Sequence, residues 1–516
     1  MDVFRAALQH WSRHALVSEG SVHRYRDLVA GALRTAESIH QVGDQGKPTD
    51  RHNGPRVAIM APPGRQFTES LWGTWLAGSI AVPLCLTHPP RELQYALEDA
   101  QVSTVLASQE HVRTVTPLAL EAGCHVHTLP SSAPHGADQD RERLESAAQS
   151  SCSDRGALII YTSGTTGRPK GVLHTHGGLA AQTSALRQAW AWAPSDRLLH
   201  ALPLHHIHGL VVALLTAHTA GACVECLPSF SPKAAWSALQ RQQDPVTLFM
   251  GVPTMYDYLL NTYDKMDAAG QEAARGAAAR LRLTVSGSAA CPLPIMQRWQ
   301  KLAGQTLLER YGMTETGMIL SNPMEGERRP GSVGLPLPGV EVRLEEASQA
   351  DDGETGGDSD PSQGRQLLVR GAAVFKEYWN RAEATEEAFD TQGFFMTGDT
   401  AAQEGSPAYW RILGRTSVDI INSGGYKISA LGIEDVLLGH PGIAECAVLS
   451  LPDDSLGESI AAIIAWHPDQ EADEDSVLAF AQKQLPRYQV RLNNTASSKP
   501  SRLTFNVTRC LQRTVL

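Results

Sequence analysis

Cysteine, net positive charge and long apolar runs are what this chain has least of. Its eight cysteines are scattered through 516 residues, at Cys85, Cys124, Cys152, Cys223, Cys226, Cys291, Cys446 and Cys510. That is too sparse for a disulfide scaffold and fits a reducing compartment. Cys223-Val-Glu-Cys226 has the spacing of a metal knuckle, but no second pair accompanies it, so a buried strand is the favoured reading. No apolar run reaches about eighteen residues, so no membrane span is expected. The net charge of −11 argues against a nucleic-acid partner. No internal repeat is visible. The hydrophobic fraction of 42 % is that of a globular chain. Its length exceeds one typical domain, so two or more are expected.

Helical and strand patterns alternate from about Arg24 onward. Arg56-Val-Ala-Ile-Met60 and Ala81-Val-Pro-Leu84 read as buried strands, with a helix over 67–76 between them. Such alternation predicts an α/β fold with mainly parallel sheets. The first eleven residues form a short amphipathic helix pattern with Arg5 and, just beyond, Arg13. With Asp2 and little Ser, they read as the start of the fold rather than a transit peptide. The polar stretch 131–154 is expected to be a surface loop, and the acidic, Gly-rich stretch 345–364 a mobile excursion. A second unit is expected from near Gly414-Arg-Thr-Ser-Val-Asp419. It continues through Ile420-Ile421, a Gly424-Gly425 turn and a helix-like 429–438.

One stretch carries the most chemistry. Tyr161-Thr-Ser-Gly-Thr-Thr-Gly-Arg-Pro-Lys-Gly-Val172 follows the apolar run Ala157-Leu-Ile-Ile160, a predicted buried strand. Thr162, Ser163, Gly164, Thr165, Thr166 and Gly167 offer hydroxyls and closely approachable backbone N–H groups, and Lys170 adds a cation. That donor set suits a polyphosphate. It is not a Walker A loop, because Gly-x-x-x-x-Gly-Lys-Ser/Thr does not occur. The bland alternative is a flexible Ser/Gly loop. Its position at a strand end, where α/β sheets place ligands, favours function.

Further motifs follow in order: Leu202-Pro-Leu-His-His-Ile-His-Gly209, Ser286-Gly-Ser-Ala-Ala290, Glu309-Arg-Tyr-Gly-Met-Thr-Glu315, Thr397-Gly-Asp399 and Gly414-Arg-Thr-Ser-Val-Asp419. Together with the loop they resemble the adenylate-forming superfamily of acyl-CoA synthetases, luciferases and peptide-synthetase adenylation domains. Its members activate a carboxylate with ATP as an acyl-adenylate, and most pass the acyl group to a thiol. The resemblance implies a large multi-sheet N-terminal domain, 1–414, and a small mobile α+β C-terminal domain, 415–490. The hinge would fall within 416–419.

The resemblance also implies roles. Tyr311 stacks on adenine, as an aromatic face can. Thr314 donates to the α-phosphate. Glu315 holds Mg²⁺, a hard cation that takes a carboxylate beside phosphates. Asp399 grips the ribose hydroxyls, since one carboxylate can accept from two of them. Arg415 is a second ribose or phosphate contact. Ser286, Gly287 and Ser288 wall the adenine and acyl pocket, with Met313 beside the acid. His206 lies near the adenylate carboxyl and His208 is a further candidate, imidazole being a versatile donor near neutral pH. Lys427 is a CoA contact. Each residue alone has a bland reading, such as a solvated Glu, a turn Asp or a structural His. Order and spacing make them specific together.

Ala191-Trp-Ala, the His-rich motif, Val285-Ser-Gly-Ser-Ala-Ala and Thr306-Leu-Leu-Glu-Arg-Tyr-Gly-Met-Thr-Glu narrow the likeness to the malonyl-CoA synthetase branch. This implies malonate, ATP and CoA as substrates, a link to fatty acid metabolism and a mitochondrial matrix location; without the resemblance, a cytoplasmic one. Malonate carries a second carboxylate whose burial unpaired is costly. A guanidinium can bind it bidentately, and Arg282 is the expected ligand. Methylmalonate differs by one methyl, worth only about 1–3 kcal/mol of discrimination, and stays open as a second substrate.

The C-terminus departs from the family. Beyond Leu485-Pro-Arg-Tyr-Gln-Val490, family members reach a Pro-x-x-x-x-Gly-Lys turn whose Lys serves adenylation. Residues 491–516 contain no such turn, and Lys483 and Lys499 are poorly placed to replace it. The tail is expected to be disordered and adenylation impaired. An alternative exon or a faulty gene model would explain the break. Two other readings remain: a synthetase for another acid, such as a medium-chain fatty acid, and a non-catalytic nucleotide-binding isoform.

Overall fold

The computed structural model describes residues 2–42, 54–132, 136, 138–149, 153–162, 168–345, 364–423, 426–453, 457–467 and 474–485. The expected excursion at 346–363, the Gly424-Gly425 turn and the 491–516 tail lie outside the described residues. Two compact units result. The first comprises Met1–Cys291, Ile295–Val342 and Val369–Met396; the second comprises Pro292–Pro294, Arg343–Leu368 and Thr397–Leu516.

Within the first unit, apolar strands separated by amphipathic helices assemble two sheets. A seven-stranded sheet runs in the order Glu377–Tyr378, Gly171–Thr175, Gly156–Tyr161, Ile80–Pro83, Arg56–Met60, Thr104–Ala107, His125–Thr128. From Gly156–Tyr161 across to His125–Thr128 the strands pair in parallel, whereas Gly171–Thr175 pairs antiparallel with Gly156–Tyr161. A nine-stranded sheet runs Leu335–Pro336, Gly317–Ser321, Leu308–Met313, Leu283–Ser286, Leu248–Gly251, Arg197–His200, Cys223–Cys226, His14–Ser18, Ser21–Arg24. Its central five strand pairings are parallel. Strands such as Arg56–Met60 and Leu283–Ser286 are buried at every residue, as expected where helices cover both faces. The predicted helix over 67–76 is Arg65–Leu76. Trp72 is fully buried and meets the Phe4 ring edge-on at 6.1 Å. This contact ties helix Asp2–Gln9 into the core; Arg13 lies beyond that helix.

Two local expectations change. The stretch 131–154 is not simply a loop: Asp138–Gln149 is a helix. It contains no Gly or Pro, its acidic first turn suits the helix dipole, and Arg141 pairs with Glu145 one turn on at 3.2 Å. Among its described side chains Leu144 alone reaches the core, so the segment's low hydrophobicity hid it. Cys223 and Cys226 form the expected strand. Residues three apart on a strand point to opposite faces, so they cannot share a metal.

In the second unit, Ile420–Ser423 pairs antiparallel with both Tyr426–Ser429 and Gly457–Trp466, and the latter with Ile443–Asp453. Helix Ala430–Leu437, capped by the Ser429 hydroxyl accepting from Gly432 N, packs Ile433 and Leu437 with Ile421, Ile428, Val448 and Val477. Among the described residues, no helix is long and apolar enough to cross a membrane.

Candidate active site

Parallel pairing aligns strand ends, which determines what can share a site. Gly251, Ser286 and Glu309 are in register. The segments that leave the carboxyl ends of these strands therefore gather on one side of the sheet, where α/β sheets bind ligands. His200 ends its strand there and leads into the His205–His208 segment. Ser286 ends the strand that leads to Gly287 and Ser288.

The hairpin Gly156–Tyr161/Gly171–Thr175 holds the base of the expected phosphate loop, where Thr162 N donates to Lys170 O at 3.0 Å. Ser163, Gly164, Thr165, Thr166 and Gly167 lie outside the described residues. The Lys170 ammonium stands 4.6 Å from the centre of the Tyr378 ring. Tyr378 in turn donates its hydroxyl to Glu315 Oε1 at 2.9 Å. The loop base and the motif acid are thus linked through one tyrosine, which sequence reasoning missed.

Tyr311 and Met313 belong to strand Leu308–Met313, which turns back through Thr314 and Glu315 into Gly317–Ser321. The turn is tight: a Cβ on Gly312 would meet Gly317 O at 2.0 Å. His174 Nε2 hydrogen-bonds Thr314 O at 2.8 Å, fixing the turn from the neighbouring sheet. Burial pushes the His174 imidazole down to about 4, so it is neutral there. Met313 packs on the cluster of Phe375 and Tyr378.

Beside this hairpin lies a group of buried polar atoms with few internal partners. His208 opens a π-helix, His208–Leu215, a form common at functional sites. Its Nδ1 shares a hydrogen with Ser288 Oγ at 3.2 Å, while its Nε2 has no partner among the described residues. Ser288 carries a φ of 70°, in the left-handed region that a non-glycine residue adopts only when held. Ser286 Oγ is buried and unpartnered as well. Burial, with Arg310 nearby, pushes His208 well below the ordinary imidazole range. His206 is lowered for the same first reason, burial, with His88 adding to it. Its ring lies 4.1 Å from that of His205.

Arg310 completes the group. It is 4 % exposed, and its Nε and Nη2 find no acceptor among the described residues. Its neighbour Glu309, on the opposite face of the strand, accepts instead from Cys291 N at 3.2 Å and Gly331 N at 3.0 Å. Burial pushes the Arg310 guanidinium down to about 9. It lies against Gly287, where a Cβ would stand 2.2 Å from its Cζ. A buried cation without a counter-ion is expensive. Its presence at the carboxyl ends therefore points to an anionic ligand.

Arg282 does not join this group, a correction to the sequence reading. It precedes strand Leu283–Ser286 and donates to Thr247 O through its backbone N–H. Its guanidinium is bidentate on Asp196, with Nε–Oδ1 at 2.7 Å and Nη2–Oδ2 at 2.5 Å, and Nη1 donates to Trp190 O at 3.0 Å. Asp196 and Thr247 likewise precede their strands. At about 3.3 Å per residue, Arg282 sits roughly 13 Å from Ser286, at the wrong end of the sheet.

In the second unit, Asp399 and Arg415 face each other across paired strands and form an ion pair at 2.9 Å. Arg415 Nη1 also donates to Thr397 O at 3.1 Å, and its backbone N–H to Asp419 Oδ2 at 2.8 Å. The Asp419 carboxylate thereby braces the expected hinge segment. The Lys427 backbone pairs with Asn422.

These layers and this loop–hairpin site define an AMP-binding enzyme. The chain belongs to that family: the AMP-binding enzyme model matches residues 3–379 and the AMP-binding enzyme C-terminal domain residues 432–496. It is 44 % identical to the mitochondrial malonate–CoA ligase ACSF3 of Xenopus laevis, over 90 % of this chain and 83 % of that protein. It is 32 % identical to the crystal structure of ATP-bound MatB from Rhodopseudomonas palustris, with a TM-score of 0.79, covering 95 % of this chain and 93 % of that one. A malonyl-CoA ligase solved as a ternary product complex with methylmalonyl-CoA and AMP is 36 % identical, with a TM-score of 0.66, over 93 % and 94 % of the two chains.

Proposed function

We propose that this chain converts malonate, ATP and CoA to malonyl-CoA, AMP and pyrophosphate, with Arg310 holding the distal malonate carboxylate. The observation that carries the reading is the buried Arg310 guanidinium, whose Nε and Nη2 have no acceptor among the described residues. Malonate brings a second carboxylate to such a cation, whereas a medium-chain fatty acid would leave it buried and unpaired. Arg310 takes the role first expected of Arg282. His208 Nε2 and Ser286 Oγ supply further polar contacts around the acid.

In the first half-reaction the proximal carboxylate attacks the α-phosphorus of ATP and pyrophosphate leaves. Thr162, Ser163, Gly164, Thr165, Thr166, Gly167 and Lys170 hold the phosphates. Thr314 donates to the α-phosphate, Tyr311 stacks on adenine, and Asp399 and Arg415 meet the ribose. Glu315 is a single hard carboxylate braced by Tyr378. That fits Mg²⁺, which takes one or two protein carboxylates when phosphates supply other ligands. The ion would neutralise the polyphosphate. In the second half-reaction the CoA thiolate attacks the acyl carbonyl and AMP leaves. The small domain, 415–490, moves about 416–419 between the two steps and presents Lys427 to CoA. Methylmalonate serves as a second substrate. The protein works in mitochondria, as the names of its ACSF3 relatives suggest.

Adenylation is impaired because 491–516 contain no Pro-x-x-x-x-Gly-Lys turn. Loss of a donor that stabilises transition-state charge lowers rates by about a hundred- to a thousandfold. The experiment is malonate-dependent pyrophosphate release from ATP, with and without CoA, for this chain and for one given a family-type C-terminus. Activity only in the restored chain supports both statements. Equal activity in the two removes the impairment. Release with another acid but not with malonate removes the substrate assignment.

A further inference from the structure

A second cluster of chemistry-bearing side chains plays no part in the reaction above. Cys85 and His88 follow strand Ile80–Pro83 of the seven-stranded sheet. His205 lies in the segment that follows strand Arg197–His200 of the nine-stranded sheet. The fold brings His205 to Cys85 and His88 from more than a hundred residues along the chain. One ligand atom from each, a thiol sulfur and two imidazole nitrogens, lies within 4.8 Å of the others.

A tetrahedral Zn²⁺ with bonds of about 2.0–2.3 Å places its ligands roughly 3.5 Å apart. Closure therefore needs about 1 Å of side-chain movement. His88 is 44 % exposed and supplies that freedom. Cys85, by contrast, is buried at 4 % exposure and held with its Sγ 3.4 Å from Thr87 Oγ1. His205 is anchored by its ring contacts, 5.8 Å to His88 and 4.1 Å to His206. The Glu92 carboxylate, on helix Pro90–Asp99, lies 3.3 Å from His88 Nδ1. Such a carboxylate behind a ligating imidazole fixes its tautomer and raises its basicity.

We propose that Cys85, His88 and His205 bind one Zn²⁺ and so bridge the carboxyl ends of the two sheets. One thiolate with two imidazoles is a borderline-soft set that suits Zn²⁺ and not the hard Mg²⁺ of the nucleotide site. Three protein ligands leave a fourth position for water or a small ligand. Binding displaces the Cys85 thiol proton to solvent, with no change of oxidation state. The ion restrains His205 and, through ring contact, the His206 turn beside the acid pocket.

The test uses the full chain with its thiols reduced, and Co²⁺ as a spectroscopic probe. One equivalent of Co²⁺ should give a near-ultraviolet thiolate charge-transfer band with visible d–d bands, displaced by one equivalent of Zn²⁺. Calorimetric titration should show Zn²⁺ affinity falling at least tenfold in Cys85→Ala and in His88→Ala. Zn²⁺ should raise the thermal midpoint of the unsubstituted chain and leave both variants unchanged. Retained ATP-induced stabilisation shows that the variants are folded. The proposal is overturned if no thiolate band appears, or if the band persists in Cys85→Ala and so belongs to another cysteine.

Discussion

Two arginines at opposite ends of one sheet have opposite fates. Arg282, at the amino end, is paired: Asp196 takes two of its N–H groups and Trp190 O a third. Arg310, at the carboxyl end, is more deeply buried and yet has Nε and Nη2 without acceptors. A paired guanidinium holds a fold together, whereas an unpaired buried one is tolerable only where a ligand completes it. On the reading proposed above, the amino end of the sheet is a structural clamp and the carboxyl end the receptor for malonate.

Substitution of each arginine separates the two roles. Arg310→Ala should weaken malonate binding by about a thousandfold, roughly 4 kcal/mol, the scale of breaking a buried charge pair. ATP-induced stabilisation should persist in that variant. Malonate titration followed by the thermal midpoint reads both without requiring turnover. Arg282→Ala should instead lower unfolding stability by about 3 kcal/mol, because Asp196 is left buried without its cation. Chemical denaturation measures that loss, and malonate affinity should not change. A malonate defect in Arg282→Ala with normal stability would reverse the comparison.

A finer test leaves Arg310 in place and displaces it. Gly287→Ala puts a methyl 2.2 Å from its Cζ, so the guanidinium must shift. Malonate affinity should fall by about tenfold to a hundredfold, less than when the charge is removed, since misaligned charge-assisted bonds are worth about 1.5–3 kcal/mol. An unchanged affinity would mean that the Arg310 geometry is unimportant.

The smallest effect per group is in pH dependence. Burial lowers His174 and His200 to about 4 and His205 to about 3. Folded values lie below the unfolded value of 6.5, so the unfolded chain binds more protons between them. Their contribution is fully present above about pH 6.5 and is lost as pH falls toward 4. The slope is about 1.4 kcal/mol per pH unit for each imidazole. Denaturation between pH 7 and pH 5 should show stability falling with acid, and His200→Gln should reduce the slope. A flat profile would contradict neutral burial at the carboxyl end.

What the sequence disclosed follows from the same geometry. The Tyr311–Glu315 motif was legible as one local unit because its residues are consecutive, on a strand and the turn that follows it. Arg282 was misread because four residues of separation from Ser286 look like proximity. On a strand they span the sheet from end to end. Arg310 stood inside a recognised motif, but that its Nε and Nη2 lack acceptors among the described residues shows only in the fold, with Glu309 bonded on the other face. A charged pair in a strand buried on both faces was the available signal. The helix Asp138–Gln149 was hidden by polarity, with Leu144 alone of its described side chains buried against the core. Cys85, His88 and His205 meet only through the packing of two sheets, which no local spacing encodes.

The most direct test compares malonate with propanoate, which lacks the distal carboxylate. Affinities for both acids, measured by thermal stabilisation in the presence of ATP, give a preference for the unsubstituted chain, Arg310→Ala and Arg282→Ala. The account predicts a strong malonate preference that collapses in Arg310→Ala and persists in Arg282→Ala. A preference that survives in Arg310→Ala, or disappears in Arg282→Ala, would contradict it.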